Sequence, residues 1–448
     1  MPLLLSVLLG IFLLLVLILK FRLQAFIALL IVSILVGLAA GLNAEEIIQT
    51  VIEGMGSTLG YVATVIGLGV IFGSILEHSG GASIIANTMI KKLGVERAPT
   101  AMVISGFIVA IPVFFEVAFI ILVPIIYALQ KQTGKSLLLY AIPLLAGLAV
   151  THAFIPPTPG PIAVASIIGA DLGWVILLGS IVGFPTAIIS GLFFGRYISK
   201  KMHIEAPEEF VKAFVQPNNK LPSIASVIII IGIPIVLILL NTTTSSSVFL
   251  SGLISPFGLS TIALLGHPIS ALIVANLLAW YFIGIKRGFT KEQLSEITTK
   301  SMMPAGAVIL LTGAGGVFKQ VLVDTGAGTA LAETMAHYGI PVILLAYLAA
   351  VAVRVLQGSA TVAMITAAGL VSPLIIGLSL SNLELAIIVI SIAAGASIMS
   401  HVNDSGFWLV SQYLGLSEKE TFKSWTAMTT ILSLTGFTIV FAIHLVFA

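Results

Sequence analysis

The stretch THAFIPPTPGP at residues 151–161 lies between two apolar runs, at residues 137–150 and 162–170. Its last six residues include four prolines, which cannot continue a helix because proline lacks an N–H and its ring clashes with the preceding turn. In hydrocarbon, the freed backbone groups must bind within protein or to water in a cavity. The stretch therefore predicts a broken membrane helix, an arrangement typical of transporter binding sites. A Pro-rich loop between two short membrane segments is the alternative.

The composition is that of a membrane protein. Hydrophobic residues make up 58% of the 448 residues, charged residues make up 8%, and the mean hydropathy is +1.18. A soluble domain carries roughly 25% charged residues. Apolar runs of about 20 residues recur from end to end, so we predict an all-α polytopic membrane protein. The net charge of +2 gives no reason to expect a nucleic-acid partner, and the absence of cysteine excludes disulfides and thiolate chemistry.

The first half of the chain, residues 1–198, is predicted to contain one hairpin that does not cross the membrane. The acidic residues Glu45, Glu46 and Glu53 are predicted to lie in a loop before the third helix. The predicted segments are helices at 3–19, 23–42 and 58–76, a hairpin at 100–129 with its tip near Glu116, a broken helix at 136–170, and a helix at 172–198.

The second half, residues 223–448, follows a hydrophilic segment at 199–222 that we predict to be a cytoplasmic linker. Its predicted segments are helices at 224–240, 269–285 and 301–322, a hairpin at 341–378 with its tip at 354–361, a broken helix at 385–414 interrupted at 400–406, and a last helix at 424–447. A polar stretch at 241–247 precedes residues 248–266, which we predict to be irregular or interfacial. An amphipathic segment is predicted to end near His337.

The basic residues support this order of segments. If the loop with Lys20 and Arg22 is cytoplasmic and the two hairpins do not cross, every Lys and Arg except Lys319 and Arg354 falls on the cytoplasmic side. Positively charged loops favour that side, and a wrong number of crossings would have scattered them. The scheme predicts about ten crossings and two hairpins, from about 12 to 14 hydrophobic segments, with both termini outside.

Two parts of the chain resemble each other at an offset of 246 residues. GVIFGSILEHSG at 69–80 corresponds to GGVFKQVLVDTG at 315–326, and each copy precedes a hairpin and a broken helix. By the charge distribution, the first copy runs inward and the second runs outward. We therefore predict two inverted repeats, as in many secondary transporters. Chance similarity between Gly- and Ala-rich apolar segments is the alternative.

Arg354 lies in the apolar run AAVAVRVLQGSAT at 349–361. A cation at the bilayer centre costs about 2.5–3.5 kcal/mol on insertion scales, so it should face protein or water. Its planar guanidinium suits a carboxylate held by two hydrogen bonds, which makes it a candidate for binding an anionic substrate. The alternative is a structural ion pair with Glu116, the only acid between Arg97 and Asp171. Glu116 is otherwise a candidate proton carrier.

His152 and His401 lie at the two predicted breaks, where a neutral imidazole both donates and accepts hydrogen bonds. They are candidates for substrate binding or proton coupling, with a packing role as the alternative. Asp404 is a candidate for proton or cation binding, with helix capping as the alternative. The other candidate substrate-binding residues are small or polar residues at the breaks and the second tip: Thr151, Thr158, Gly160, Gln357, Gly358, Ser359, Thr361, Ser400 and Asn403.

Other classes of function are less well supported. The residues around His401 and Asp404 include no His, Asp or Glu pair at i, i+4 on one continuous helix, so no zinc site is predicted there, and no Walker A motif points to ATP. A membrane-embedded hydrolase or isomerase using His152, His401 and Asp404 stays an alternative. Placement on matching repeats argues against it, because a reaction centre needs no such symmetry. A passive channel is the third class, which uphill accumulation of substrate would exclude.

Five stretches resemble the gluconate permease family of the ion transporter superfamily. They are FFEV at 114–117, THAFIPPTPGP at 151–161, GAGGVFKQVLVD at 313–324, GSATVA at 358–363 and SHVND at 400–404. The resemblance spans nearly the whole chain. It implies proton-coupled uptake of gluconate or a related sugar acid across the bacterial inner membrane, with no cofactor beyond the coupling ion. Sodium coupling is the main variant, because unwound carbonyls at helix breaks also suit Na⁺.

The resemblance also bears on substrate and assembly. The D-serine transporters of the same family are similar but differ at Arg354 and at residues 400–403, which favours a sugar acid over an amino acid or another small carboxylate. The family usually has His where this chain has Thr158, and this departure puts any coupling or specificity role of that position in doubt. Related members of the superfamily are dimers, so the resemblance implies a homodimer.

Overall fold

The computed structural model describes residues 3–207, 221–326, 341–375 and 378–447. Within these ranges the chain is α-helical and forms no β-strand, and eight helices are long and apolar enough to cross a membrane. The prediction of an all-α polytopic membrane protein is therefore confirmed. The number of crossings and the two-half division of the chain stay predictions. Parts of the linker at 199–222 and of the amphipathic segment ending at His337 lie outside the described residues.

The helices of the first half are numbered in chain order. They are α1 (Leu3–Leu19), α2 (Ala25–Ala40), α3 (Ala44–His78), α4 (Gly81–Leu93), α5 (Ala98–Val109), α6 (Phe115–Thr133), α7 (Leu138–Phe154), α8 (Pro159–Ile168) and α9 (Leu172–Lys201). Helices α5 and α6 form the first hairpin, and α7 and α8 form the first broken helix. The interruption lies inside the Pro-rich stretch that predicted it.

The helices of the second half continue the numbering. They are α10 (Ile224–Ser246), α11 (Val248–Leu253), α12 (Pro256–Gly266), α13 (Pro268–Arg287), α14 (Lys291–Asp324), α15 (Val342–Gln357), α16 (Ala360–Ile375), α17 (Asn382–Ala396), α18 (Ser405–Leu414) and α19 (Glu418–Phe447). Helices α15 and α16 form the second hairpin, and α17 and α18 form the second broken helix. Helices α8 and α18 begin 246 residues apart, as do α9 and α19. The opposite orientation of the two halves in a membrane stays a prediction.

Three local predictions are wrong for the same reason. The acidic stretch at 45–53 is helical because Asn43 and Glu46 form a capping box that starts α3 well before its apolar part. A second capping box, at Thr290 and Gln293, likewise starts α14 at Lys291. Helix α10 continues through the polar stretch because its Thr and Ser hydroxyls bond carbonyls one turn back. Residues 248–266, which were predicted to be irregular or interfacial, form two short helices. The three errors share a cause, because hydropathy identifies only the apolar part of a helix and not its polar ends.

The two broken helices lie at the centre of the molecule. Nearly every residue of α7 and α8, and the last eleven of α17, are buried. Outside them, α3 crosses α14 at small residues: a Cβ on Gly54 would lie 2.7 Å from Val317 Cα, and one on Gly316 would lie 2.0 Å from Thr58 Oγ1. Small residues let membrane helices approach closely. This packing holds two long helices against the breaks, where the candidate site lies.

Candidate functional site

Arg354 ends α15 at the tip of the second hairpin and is only 3% exposed. Its Nη2 donates to Asp404 Oδ2 at 2.6 Å, and its Nε donates to the Ile398 carbonyl at 3.2 Å. Its Nη1 is buried and has no partner among the described residues. The structural ion pair weighed as the alternative is therefore present, but its expected partner Glu116 is wrong, because the tertiary packing brings Asp404 there instead. One amino group of the guanidinium has no partner among the described residues.

Asp404 has three partners at the second break. Besides Arg354, its carboxylate accepts from Ser400 Oγ at 2.5 Å and from the Gly406 N–H at 3.1 Å. Asp404 also occupies the N-cap of α18, so the capping role weighed for it is present together with an ion pair. These contacts hold Asp404 in place as the ion-pair partner of Arg354 in this conformation.

The tip of the second hairpin is held against the second break. Gly358 has φ 94°, and a Cβ there would lie 2.3 Å from the Asn403 carbonyl oxygen. His401 Nε2 lies 2.8 Å from the Val355 carbonyl, to which Asn403 Nδ2 also donates at 3.4 Å. A carbonyl only accepts, so His401 carries a hydrogen on Nε2. Gly358, His401 and Asn403 thus fix the position of Arg354.

The first break presents polar atoms without partners. Thr151 Oγ1 and His152 Nδ1 are buried and make no hydrogen bond with any described residue. Thr158 is different, since its hydroxyl donates to the Ile155 carbonyl at 2.8 Å and is used within the break itself. Gly160 begins α8 beside α16, where a Cβ would lie 3.1 Å from Met364 Sδ. The first break can therefore offer Thr151 and His152 to a ligand.

Aromatic residues connect the two breaks. The Phe114 ring lies 6.0 Å from the His152 ring, and the neighbouring Phe115 stacks on Trp425 at 5.4 Å between centroids. Trp425 Nε1 donates to Ser400 Oγ at 2.6 Å. The tip of the first hairpin is thus wedged between Thr151-His152 on one side and the Ser400–Asp404–Arg354 chain on the other.

The remaining candidates lie around these two groups. Gln357 Oε1 is buried and without a partner among the described residues, whereas Ser359 Oγ accepts from the Val362 N–H at 3.4 Å. Thr361 is half-buried at the start of α16. Glu116 is exposed on the first turn of α6, near enough to His152 to interact electrostatically. The second tip and the second break therefore come together, and Glu116 belongs with the first break.

Sequence reasoning missed the contribution of α19. Trp425, Thr426 and Thr429 of that helix surround Ser400: Thr426 Oγ1 donates to the Ser400 carbonyl at 2.5 Å, and the Ser400 N–H donates to Thr429 Oγ1 at 3.1 Å. The only signal was Trp425 among the Ser and Thr residues of a mostly apolar run. Hydroxyls in membrane helices usually bond their own backbone, so that signal was too weak to use.

A cavity of about 480 Å³ reaches the tip of the first hairpin. Phe114 and Val117 form its inner wall, the end of α3 contributes Glu77 and His78, and the start of α14 contributes Glu296 and Lys300. Lys300 Nζ lies 2.6 Å from Glu296 Oε1. On the predicted orientation this cavity opens to the cytoplasm.

Comparison with known proteins agrees with this architecture. The sequence model of the family described as GntP family permease matches residues 1–446. The chain is 41% identical to a gluconate permease of Pseudomonas aeruginosa, over 90% of this chain and 88% of that protein. It is 40% identical to a low-affinity gluconate transporter of Escherichia coli, over 88% and 87% respectively.

Solved structures of transporters share the fold. The YdaH transporter of Alcanivorax borkumensis superimposes with a TM-score of 0.69 at 12% identity, covering 94% of this chain and 98% of that one. MtrF of Neisseria gonorrhoeae, described as an antimetabolite efflux pump, gives 0.58 at 12% identity, covering 93% of each chain. These likenesses support the fold alone, and the family match confirms the resemblance read from the motifs. The chain is a multi-pass membrane transporter, not an enzyme, and it belongs to the GntP permease family.

Proposed function

We propose that this transporter takes up gluconate or a closely related sugar acid together with protons. The observation that carries the proposal is Arg354, a guanidinium buried between a hairpin tip and a helix break with Nη1 unpartnered among the described residues. A substrate carboxylate at Nη1 would receive a charge-assisted hydrogen bond in a dry site, where such bonds are strong. The names of the relatives at about 40% identity support gluconate as the anion.

The unpartnered groups suit a polyhydroxylated acid better than an amino acid. Thr151 and His152 can donate or accept, and Gln357 Oε1 can accept, as a chain of hydroxyls requires. D-Serine would bring an ammonium that needs an anionic acceptor. Asp404 is the nearest carboxylate to Arg354, and Arg354, Ser400 and the Gly406 N–H already bind it. These contacts favour the sugar acid over the D-serine alternative.

The negative charge of the substrate favours co-transport of a cation, which we propose to be the proton. A monoanion that enters with one proton is neutral and gains from the pH gradient only, whereas each further proton adds about 2.3 kcal/mol per 100 mV of membrane potential. The candidates around the site are Glu116, His152, His401 and Asp404. The last two are fixed by hydrogen bonds in this conformation, which favours the pair at the first break.

Uptake of labelled gluconate into proteoliposomes tests the proposal. With the outside medium more acidic than the lumen and no sodium, we expect gluconate to accumulate above its outside concentration. A protonophore should abolish this accumulation. Accumulation that requires sodium would show that Na⁺, not the proton, is the coupling ion. Uptake of D-serine but not of gluconate would show that the substrate is an amino acid. Equilibration without accumulation would support a channel.

A homodimer is the assembly we propose. The support is the resemblance to dimeric members of the superfamily. Native mass measurement in nanodiscs should give twice the 46.9 kDa of one chain. A single-chain mass under conditions that retain uptake would overturn it.

A further inference from the structure

Lys319 is an ionisable residue of a membrane-spanning helix that the proposed site leaves unused. It lies in the family stretch at 313–324, and with Arg354 it is one of two basic residues that the charge distribution does not place in the cytoplasm. Its Nζ donates to the Ile167 carbonyl of α8 at 2.8 Å, and the residue is half-buried. Ionisable residues within membrane segments are rare and usually functional.

The position of the Ile167 carbonyl at a helix end favours binding of a cation. It belongs to the last turn of α8, where carbonyls lack helical partners and carry the negative end of the helix dipole. Ser372 Oγ of α16 donates to the same oxygen at 3.0 Å. One turn before Lys319, a Cβ on Gly315 would lie 3.0 Å from Ile167 Cδ1, so α14 packs directly on this turn. The Lys319 ammonium fills the place that an inorganic cation would take.

No carboxylate of the described residues pairs with Lys319. Helix α14 packs against α2, α3, α8 and α16, and α2, α8 and α16 contain no ionisable side chain. Near Lys319, Glu53 of α3 is exposed and accepts from Gln49 at 2.8 Å. Asp324 of α14 accepts from Thr50 at 2.7 Å and from Gln320 at 2.8 Å.

Tyr61 lies near the middle of α3, with its ring 6.0 Å from the His267 ring. The other ionisable residues of the two helices are Glu45, Glu46, Glu77 and His78 on α3, and Lys291, Glu292, Glu296 and Lys300 on α14. The Lys319 ammonium is therefore held by a neutral carbonyl oxygen at a helix end rather than by an ion pair with a described carboxylate.

The end of α18 can be compared with the end of α8. The carbonyl of Tyr413 in α18 lies 246 positions after Ile167 and accepts from the Tyr127 hydroxyl of α6. The Tyr127 hydroxyl thus binds the end of α18 as the Ser372 hydroxyl binds the end of α8. The position matching Lys319 is Gly73, where a Cβ would clash with the Pro112 carbonyl. Both broken helices thus end at a carbonyl that accepts from a hydroxyl of the opposite hairpin.

We propose that Lys319 is a coupling residue that links proton movement to transport through α8. This inference rests on the proposed proton coupling. When charged, Lys319 holds the end of α8 against α14. When it releases its proton to water, the neutral amine keeps at most a weak hydrogen bond, and reprotonation from the other side restores the contact. Helix α8 begins at Pro159, directly after the break, so it transmits the change to Thr151 and His152 as a rigid element.

Substitution by arginine separates coupling from packing. Lys319→Arg keeps a cation and its donors but does not titrate in the physiological range, and Lys319→Gln keeps a donor without a charge. In proteoliposomes we expect gluconate exchange at equal pH to stay within about threefold of wild type for at least one of the two variants, while uptake driven by a pH gradient falls at least tenfold in both, as expected for loss of a titrating group. Ser372→Ala, which removes the neutral donor to the same oxygen, should keep pH-driven uptake.

The outcomes are distinguishable. Wild-type levels of pH-driven uptake in Lys319→Arg would show that only the charge is needed and would overturn the coupling role. Equal loss of exchange and of pH-driven uptake in both variants, at unchanged thermal unfolding, would assign Lys319 to substrate passage and also overturn it. Wild-type uptake that ignores the pH gradient would instead overturn the proposed function itself.

Discussion

The break between α17 and α18 is held by charge, whereas the break between α7 and α8 has no Asp, Glu, Lys or Arg in its residues 151–161. At the second break, Asp404 joins Arg354 to Ser400, and α19 supplies Trp425 as a further donor. The first break is held by proline packing and leaves Thr151 and His152 unpartnered among the described residues. The two breaks, which lie at matching positions in the two halves, thus differ in charge.

The difference indicates a division of labour. In the proposed function, preorganised charge at the second break would bind an anion without reorganisation. Free hydroxyl and imidazole groups at the first break can adapt to the remaining parts of a substrate. Substitutions at each break should therefore have effects of different kinds, and four of them test the comparison.

The largest effect is expected for Arg354→Ala. Loss of the guanidinium should weaken gluconate binding about 100-fold, because hydrogen bonds to charged groups contribute about 1.5–3 kcal/mol each. It also leaves Asp404 as a mostly buried, unpaired charge, at a cost of about 3–5 kcal/mol in stability. Binding is measured by calorimetry and stability by thermal unfolding.

A double variant separates the two effects of that change. Arg354→Ala with Asp404→Ala removes both charges, so it should regain most of the lost stability while binding stays weak. Unchanged gluconate affinity in either variant would show that Arg354 does not bind the substrate carboxylate. The two breaks would then not differ in how they bind substrate.

The next largest effect is expected for Gly358→Ala. A left-handed backbone costs a residue with a side chain about 1–2 kcal/mol, and here the new Cβ would also lie 2.3 Å from the Asn403 oxygen. We expect a lower melting temperature and slower uptake. Gly134→Ala is the matched control, since Gly134 has φ 64° and nothing within 4 Å of a new Cβ. Equal effects of the two would mean that the hairpin tip need not contact the break.

A smaller effect is expected for Thr151→Val at the first break. Valine keeps the shape and removes a hydroxyl that has no partner among the described residues. Gluconate affinity should fall about fivefold, the loss of one neutral hydrogen bond of about 1 kcal/mol, with stability unchanged or higher. Ser6→Ala removes a similarly unpartnered hydroxyl from α1 and serves as control. A drop in stability without loss of affinity would make Thr151 a packing residue.

The smallest effect is expected for Trp425→Phe. Phenylalanine keeps the stacking on Phe115 and loses the 2.6 Å bond to Ser400, which should cost about 1 kcal/mol in stability. Affinity should fall only a few-fold, because Trp425 acts on Arg354 through Ser400 and Asp404. Trp408→Phe loses an equivalent bond, to the Val402 carbonyl, on the exposed side of the same break. An equal fall in affinity for Trp408→Phe would show that the buried chain has no special role.

Most helices, both breaks and many site residues could be predicted from the sequence, because a segment in hydrocarbon must be apolar and must satisfy its own backbone hydrogen bonds. Apolar length, proline clusters and isolated polar residues each have a direct physical cost in a bilayer, so they mark crossings, breaks and sites. Capping boxes at Asn43 and Thr290 act outside that rule, in water, and so the helix starts they set were missed. The contribution of Trp425 was missed because an amphipathic ring in an apolar helix carries no sign of what it touches.

The sequence by itself determined the class, the family, both breaks and most of the polar residues that line them, since each is a local pattern with a local cause. Only the tertiary structure decided the pairings. Whether Arg354 meets Glu116 or Asp404, and whether Lys319 meets a carboxylate or a helix end, depends on which segments pack together across nearly the full length of the chain. Burial then makes those pairings consequential, because in a low-dielectric interior the partner of a charge decides its cost and its chemistry.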